Sequence, residues 1–210
     1  MTASTAIHVI DDDEAVRHSL AFLLGTTGFP VRAYASGEEF LCKASDLRAG
    51  CVLTDVRMPG MDGLALQRRL ADIGVRLPVI VMTGHGDIPI AVQALKAGAV
   101  DFIEKPFDED VLLAAVRNAL AASRRDLERK AEAGRIAARL ERLTPRELQV
   151  FHRLVAGQQN KAIAHDLGAS PRTVEVHRGR IMEKMAARNL SELVRMALVA
   201  GVAEALPPPD

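Results

Sequence analysis

The sequence predicts two folds in succession. Residues 1–122 read as a doubly wound α/β domain with a five-stranded parallel sheet, and residues 143–204 as a small all-α domain of four helices containing a helix-turn-helix. Three observations carry this. Short apolar, β-branched runs alternate with segments of helical period through the first 122 residues. Four of those runs end at a polar group suited to chemistry. After residue 143 the period is helical throughout, cut by capping signals and glycines.

The strands are expected at Ile7–Ile10, Val31–Tyr34, Cys51–Asp55, Val79–Thr83 and Val100–Glu104. Between them Val16, Leu20, Leu23 and Leu24 recur at helical spacing, and Leu64, Leu66 and Leu70 do so less regularly. Val92 and Leu95, then Leu112, Leu113, Val116 and Leu120, mark two further helices. Near-continuous apolar strands alternating with helices imply a parallel sheet covered on both faces.

Residues 123–142 are rich in Arg, Ala and Glu, with few large apolar side chains. Leu120 and Leu127 lie a heptad apart, but Ala131 and Gly134 interrupt any strong seam. The composition serves a helical extension of the fifth helix, with a short dimeric coiled coil open to it, or, equally, a solvated connector. Next comes Thr144-Pro-Arg-Glu147, a capping box with Pro at the first helical position. Its helix carries Leu148, Phe151, Leu154 and Val155 and stops at Gly157. A second helix from about Asn160 to Leu167 breaks at Gly168, and Ser170 with Pro171 opens a third. Ser191 is expected to cap a fourth that ends near Gly201, before a frayed tail at 205–210. Helix, short glycine turn, helix is the helix-turn-helix pattern.

Composition bounds the rest. A chain of 210 residues with 49% hydrophobic content suits two small packed domains, and no apolar run is long enough to span a membrane. The start Met-Thr-Ala-Ser-Thr is too short and polar for a signal peptide, so a cytoplasmic protein is expected. Cys42 and Cys51 lack metal or redox spacing and read as reduced thiols. The zero net charge hides an asymmetry: residues 1–122 hold 11 Lys and Arg against 16 Asp and Glu, whereas residues 144–210 hold 9 against 7. An acidic front suits a metal, and a mildly basic rear suits an anionic partner.

Asp55, Asp11 with Asp12, Thr83 and Lys105 all fall at carboxyl ends of strands. In an open parallel sheet those ends share the edge where ligands bind. Taken singly, each is ordinary: a loop carboxylate, solvated acids, a strand threonine, a surface charge. Taken together they make a phosphoacceptor. A carboxylate attacks a phosphoryl group only where negative charge is managed, and Mg²⁺ or Mn²⁺ does this through oxygen ligands. Asp12 and Asp55 are the expected direct ligands, with Asp11 nearby through water and the Arg57 backbone carbonyl beside them. Thr83 would donate to one phosphoryl oxygen and Lys105 would neutralise another. Asp13 reads as a helix cap, and His8 pairs within or beside the first strand.

Residues 1–122 resemble the receiver domain of response regulators, the CheY-like fold. The matching stretches are Asp11-Asp12-Asp13, Thr54-Asp55-Val56-Arg57-Met58-Pro59-Gly60, Met82-Thr83-Gly84 and Glu104-Lys105-Pro106-Phe107. The resemblance implies strand order 2-1-3-4-5, phosphoryl transfer from a sensor histidine kinase to Asp55, and a cis Lys105–Pro106 peptide. Phosphorylation adds roughly −2 charge at the acceptor. In the family a strand-five aromatic, here Phe102, then fills the space that the moving Thr83 vacates, besides packing in the core. The output face would run over about Ile88–Glu104, with Val92 and Lys96 as receiver dimer contacts.

Residues 144–201 resemble LuxR-type output domains, through Leu143-Thr-Pro-Arg-Glu147, Asn160-Lys-Ala-Ile-Ala164 and Ser170-Pro-Arg-Thr-Val-Glu-Val-His177. The third helix would enter the major groove. Val174 reads as core, leaving Arg172, Thr173, Glu175, Val176, Arg178 and Gly179 exposed. Lys161, Arg172, Arg178 and Arg180 would meet phosphates or bases, and Val176 a thymine methyl. Glu175 either accepts from cytosine N4 or pairs with Arg172 or Arg178. Leu193, Met196 and Ala197 on the fourth helix form a second dimer surface, close the small core, or do both.

The whole chain resembles two-component response regulators of the FixJ type, a match that Thr83-Gly-His-Gly-Asp87 and Lys96–Phe107 sharpen. That resemblance implies a phosphorylation-favoured homodimer that binds promoter DNA, engages RNA polymerase and activates transcription. The only enzymology would be Mg²⁺-dependent self-phosphorylation and self-dephosphorylation. A phosphorylation-dependent interaction scaffold is the alternative.

Overall fold

Strands β1 (Ala6–Ile10), β2 (Val31–Tyr34), β3 (Gly50–Asp55), β4 (Val79–Thr83) and β5 (Asp101–Glu104) form one sheet in the order β2-β1-β3-β4-β5. Every pairing is parallel. This computed structural model describes residues 5–45, 47–84 and 88–202. The tail at 205–210 and His85-Gly86-Asp87 of the Thr83–Asp87 stretch lie outside the described residues. The chain divides into two compact units at Leu127/Glu128.

In the first unit β1, β3 and β4 are buried along their whole lengths. Their side chains alternate between two apolar layers, as the two-residue period of a strand demands. Ile10, Val52, Val79 and Val81 face one layer with Phe40, Leu66, Leu70 and Ala94. Ile7, Val9, Leu53, Ile80 and Met82 face the other with Leu20, Leu24, Leu112 and Val116. The first layer is supplied by helices α2 (Gly37–Ala44), α3 (Gly63–Asp72) and α4 (Ile88–Lys96), the second by α1 (Glu14–Gly25) and the first half of α5 (Glu109–Leu140).

Helix α2 is the element with no apolar repeat in the sequence to mark it. One large anchor, fully buried Phe40, and the Ser36 cap, whose Oγ accepts from Glu39 N–H at 3.2 Å, hold it. Asp13 caps α1, its Oδ1 accepting from Ala15 N–H at 2.8 Å and Val16 N–H at 3.3 Å. His8 is fully buried, and its Nδ1 lies 3.2 Å from the Tyr34 hydroxyl. The Lys105–Pro106 peptide is cis.

The second unit gathers α6 (Pro145–Val155), α7 (Asn160–Asp166), α8 (Pro171–Met185) and α9 (Leu190–Val199) around Phe151, Leu154, Ile163, Val174, Ile181 and Leu193. The Thr144 capping box forms in both directions. Its buried Glu147 also accepts from Lys184 Nζ at 2.6 Å. That bond, with the Thr144 backbone N–H, holds the Glu147 carboxyl below the usual range. Gly168 turns α7 into α8 with φ +59°, a left-handed conformation that favours glycine. The last turns of α5 belong to this core: Ile136 is buried in it, and Arg139 Nη1 donates to the Met185 carbonyl at 3.0 Å.

One expectation for the fourth helix of this unit is corrected and another narrowed. Asn189, not Ser191, caps α9, because its Oδ1 accepts from Glu192 N–H at 2.9 Å. Leu193 and Ala197 are fully buried and half-buried Met196 packs beside them, so the first two close the core and only Met196 of the three keeps an exposed part. The exposed apolar pair on that helix is Leu198 and Val199.

Candidate functional site

Register sets the site. Ile10 pairs with Thr54, Asp55 with Met82 and Thr83 with Glu104, so Asp11, Asp55, Thr83 and Lys105 leave the sheet along one edge. There the Lys105 ammonium bridges two carboxylates, donating to Asp55 Oδ1 at 2.7 Å and to Asp11 Oδ2 at 2.8 Å. The remaining oxygens are also engaged: Arg57 N–H donates to Asp55 Oδ2 at 2.8 Å, and Asp13 N–H to Asp11 Oδ1 at 3.0 Å. Burial opposes the charge on Lys105, but the two hydrogen bonds and the two carboxylate charges outweigh it and raise its pKa. The ammonium therefore stays charged.

The edge does not gather every predicted residue equally. Thr83 is buried, and its hydroxyl donates to the Gly84 carbonyl at 3.0 Å rather than to Asp55. Asp12 is exposed, and its carboxylate has no hydrogen-bond or ion-pair partner among the described residues. Arg57 is exposed beside the acceptor. Gly63 is a residue that the motifs alone did not single out. A Cβ there would lie 2.3 Å from the Asp55 carbonyl oxygen, so only glycine lets α3 start this close to the acceptor. Its signal in the sequence is the Asp62-Gly63 pair, where Asp62 caps α3 through Ala65 N–H at 2.6 Å.

The donor set suits a hard divalent cation in kind. Mg²⁺ is held by one or two carboxylates and keeps several waters, and Asp11 and Asp55 already converge on one cationic point. Among the described residues no three His, Cys, Asp or Glu side chains form a metal-holding group. Asp12, the Arg57 carbonyl and water would complete the shell.

Residues 7–117 match the family model of the response regulator receiver domain, and residues 141–197 that of bacterial regulatory proteins of the luxR family. The chain belongs to the response regulators with a LuxR-type output domain. Its relatives share both halves. The transcriptional regulatory protein FixJ of Rhizobium meliloti (strain 1021) is 52% identical over 198 residues, covering 93% of this chain and 96% of that protein. Full-length FixJ from B. japonicum is 48% identical with a TM-score of 0.59, covering 95% and 98%. The response regulator StyR is 38% identical with a TM-score of 0.79, covering 93% and 99%. This response regulator thus has the architecture of a transcription regulator, and its receiver family uses Mg²⁺ for phosphorylation.

On the receiver's fourth-helix face, Val92 is 44% and Phe102 41% exposed, with Leu95 and Val100 exposed nearby and Lys96 alongside. Core packing, one expectation for Phe102, is corrected. On edge strand β5 it is Ile103 that turns into the apolar layer, and strand alternation sends Phe102 the other way.

On the output domain, Val174, Ile181 and Met185 bury the inner face of α8. Arg172, Thr173, Glu175, Val176, Gly179 and Arg180 are exposed and Arg178 is half-buried, with Lys161 exposed on α7. Thr173 also serves the helix cap, its hydroxyl lying 2.8 Å from Ser170 Oγ. Glu175 pairs with neither Arg172 nor Arg178 among the described residues. Its carboxylate faces outward unengaged.

Proposed function

We propose that the chain takes a phosphoryl group on Asp55 from a sensor histidine kinase, dimerises in response, and binds promoter DNA to activate transcription with RNA polymerase. The convergence of Asp11, Asp55 and Lys105 within 2.8 Å at the carboxyl edge of the sheet carries this reading. The proposed division of labour is a receiver at 1–122, a linker at 123–142 and an output domain at 143–204. The cytoplasm is the proposed compartment, and among the described residues no helix is long and apolar enough to cross a membrane.

In the reaction an Asp55 carboxylate oxygen attacks phosphorus, the phosphohistidine P–N bond breaks, and the imidazole leaves with its electron pair. Mg²⁺ bound by Asp11, Asp12, Asp55 and the Arg57 carbonyl would neutralise charge as the oxygens approach. Lys105 is freed from its carboxylates to hold a phosphoryl oxygen. Thr83 exchanges the Gly84 carbonyl for another. Thr83 withdrawal lets Phe102 turn inward, and the altered face around Val92 and Lys96 takes a second copy. Two output domains then place α8 in successive major grooves. Arg172, Thr173, Glu175, Val176 and Arg178 read bases, while Lys161 and Arg180 hold phosphates.

The test is acetyl phosphate with Mg²⁺, followed by phosphate-affinity gel, sedimentation and DNA gel shift. Wild type should gain phosphate, dimerise and shift DNA. Asp55→Asn should do none of these, and Lys105→Ala should gain phosphate about 10²-fold more slowly. Phosphate uptake with no change in DNA affinity would favour the interaction scaffold instead.

A further inference from the structure

We infer that Arg17, on α1, is a positioning residue that clasps the acidic loop so that its carboxylates are presented to a divalent cation. The inference rests on the phosphoacceptor reading above. One guanidinium nitrogen, Nη1, donates to two successive backbone carbonyls, Asp11 at 2.8 Å and Asp12 at 2.9 Å. The same loop is tied elsewhere. Asp11 N–H donates to the Tyr34 carbonyl at 3.3 Å, and Asp13 N–H to Asp11 Oδ1 at 3.0 Å. With Asp13 spent on capping α1, the free carboxylate of this triplet is that of Asp12.

Three successive aspartates repel one another, and repulsion is relieved by rotating the peptides between them. Rotation of the Asp11–Asp12 or Asp12–Asp13 peptide would break a bond to Arg17. The clasp therefore fixes where Asp11 and Asp12 can reach. Arg17 acts on a bound cation in two opposed ways: its charge repels a divalent ion, while its hydrogen bonds hold the donors in place. The guanidinium is half-buried at the loop's edge, where solvent screens its charge. Groups that orient metal ligands shift metal affinity by roughly 10–100-fold. The orienting effect wins, which fixes the sign of the mutant.

The experiment titrates Mg²⁺ into the full-length chain by calorimetry and follows acetyl-phosphate phosphorylation as Mg²⁺ is varied. Arg17→Met and Arg17→Gln should weaken Mg²⁺ binding by about tenfold or more. Arg17→Lys, which keeps charge and donors on a shorter reach, should fall between them and wild type. The Met variant should need correspondingly more Mg²⁺ for half-maximal phosphorylation yet reach the wild-type rate at saturation. Unchanged or tighter Mg²⁺ binding in the folded Met or Gln variant overturns the inference. So does a lower saturating rate with unaltered Mg²⁺ dependence. If the Met variant does not fold, the Gln variant decides by the same readings. A wild-type chain that takes up neither Mg²⁺ nor phosphate would instead sink the phosphoacceptor reading itself.

Discussion

The receiver edge and the recognition helix differ in where their polar groups find partners. At the edge, Asp11 and Asp55 have both oxygens engaged by Lys105 or by backbone N–H groups, and both residues are buried. On α8, Arg172, Glu175 and Arg180 are exposed and have no partner among the described residues. The first arrangement is preorganised, its charges fixed before any reactant arrives. The second is completed by what it binds. Changes in the enclosed region should therefore act steeply and through folding, and changes on the open face gently and through the partner.

The largest effect expected inside the receiver concerns His8. Burial first, and the Arg32 charge second, lower its pKa from 6.5 to about 4. The unfolded chain takes up the proton below pH 6.5, while the folded receiver resists until about 4. Stability is therefore full above 6.5 and is lost as pH falls through that window, by about 3 kcal/mol in all. Tyr34 is the chain's only tyrosine, there is no tryptophan, and its hydroxyl meets His8. Urea unfolding followed by tyrosine fluorescence at pH 7 and pH 4.5 thus reads this unit. His8→Leu should flatten its acid slope, and an equal slope in both chains would assign the loss to other groups.

Two glycines sharpen the contrast. Gly63→Ala sets a Cβ 2.3 Å from the Asp55 carbonyl oxygen, so backbone must shift, at a cost of about 2 kcal/mol. Gly179 lies inside α8 with nothing within 4 Å of its Cβ position, so Gly179→Ala should stabilise the output domain by about 0.5–1 kcal/mol. Thermal unfolding of both variants checks the pair. Equal signs would show that enclosure is not what separates the two regions.

The two regions were also unequally legible. Asp55, Thr83 and Lys105 could be placed because strand alternation and parallel pairing leave one edge for every strand end. What period and pairing do not specify is rotamer. Phe102 faces outward on β5, and Thr83 is turned to the Gly84 carbonyl. Arg17 and Gly63 escaped notice because their roles lie in backbone contacts, to the carbonyls of Asp11 and Asp12 and of Asp55. Unlike a helix cap, which residue type and position mark, neither contact sets a period in the sequence. The capping of α9 by Asn189 rather than Ser191 is a subtler case. Both residues can cap, and the choice fell to the one with Glu three positions on, since Glu192 Oε2 also accepts from Arg188 N–H at 3.0 Å.

Effects on partner binding should come from the open face, and their form matters more than their size. Lys161 is exposed on α7 and pairs with nothing among the described residues. If it neutralises one phosphate, Lys161→Ala should lower affinity by a similar factor on every DNA sequence. It should also reduce the slope of log affinity against log salt by about one. Val176, 51% exposed, offers no charge. Val176→Ala should leave that slope intact and alter only the preference for a thymine at one position, by about 1 kcal/mol. Fluorescence-anisotropy titrations at several salt concentrations, on a bound promoter fragment and on scrambled duplex, separate the two. A changed slope for Val176, or a sequence-dependent loss for Lys161, would reverse the assignment of phosphate and base contacts. It would leave the distinction between enclosed and open regions untouched, because both residues lie on the face that only a partner can complete.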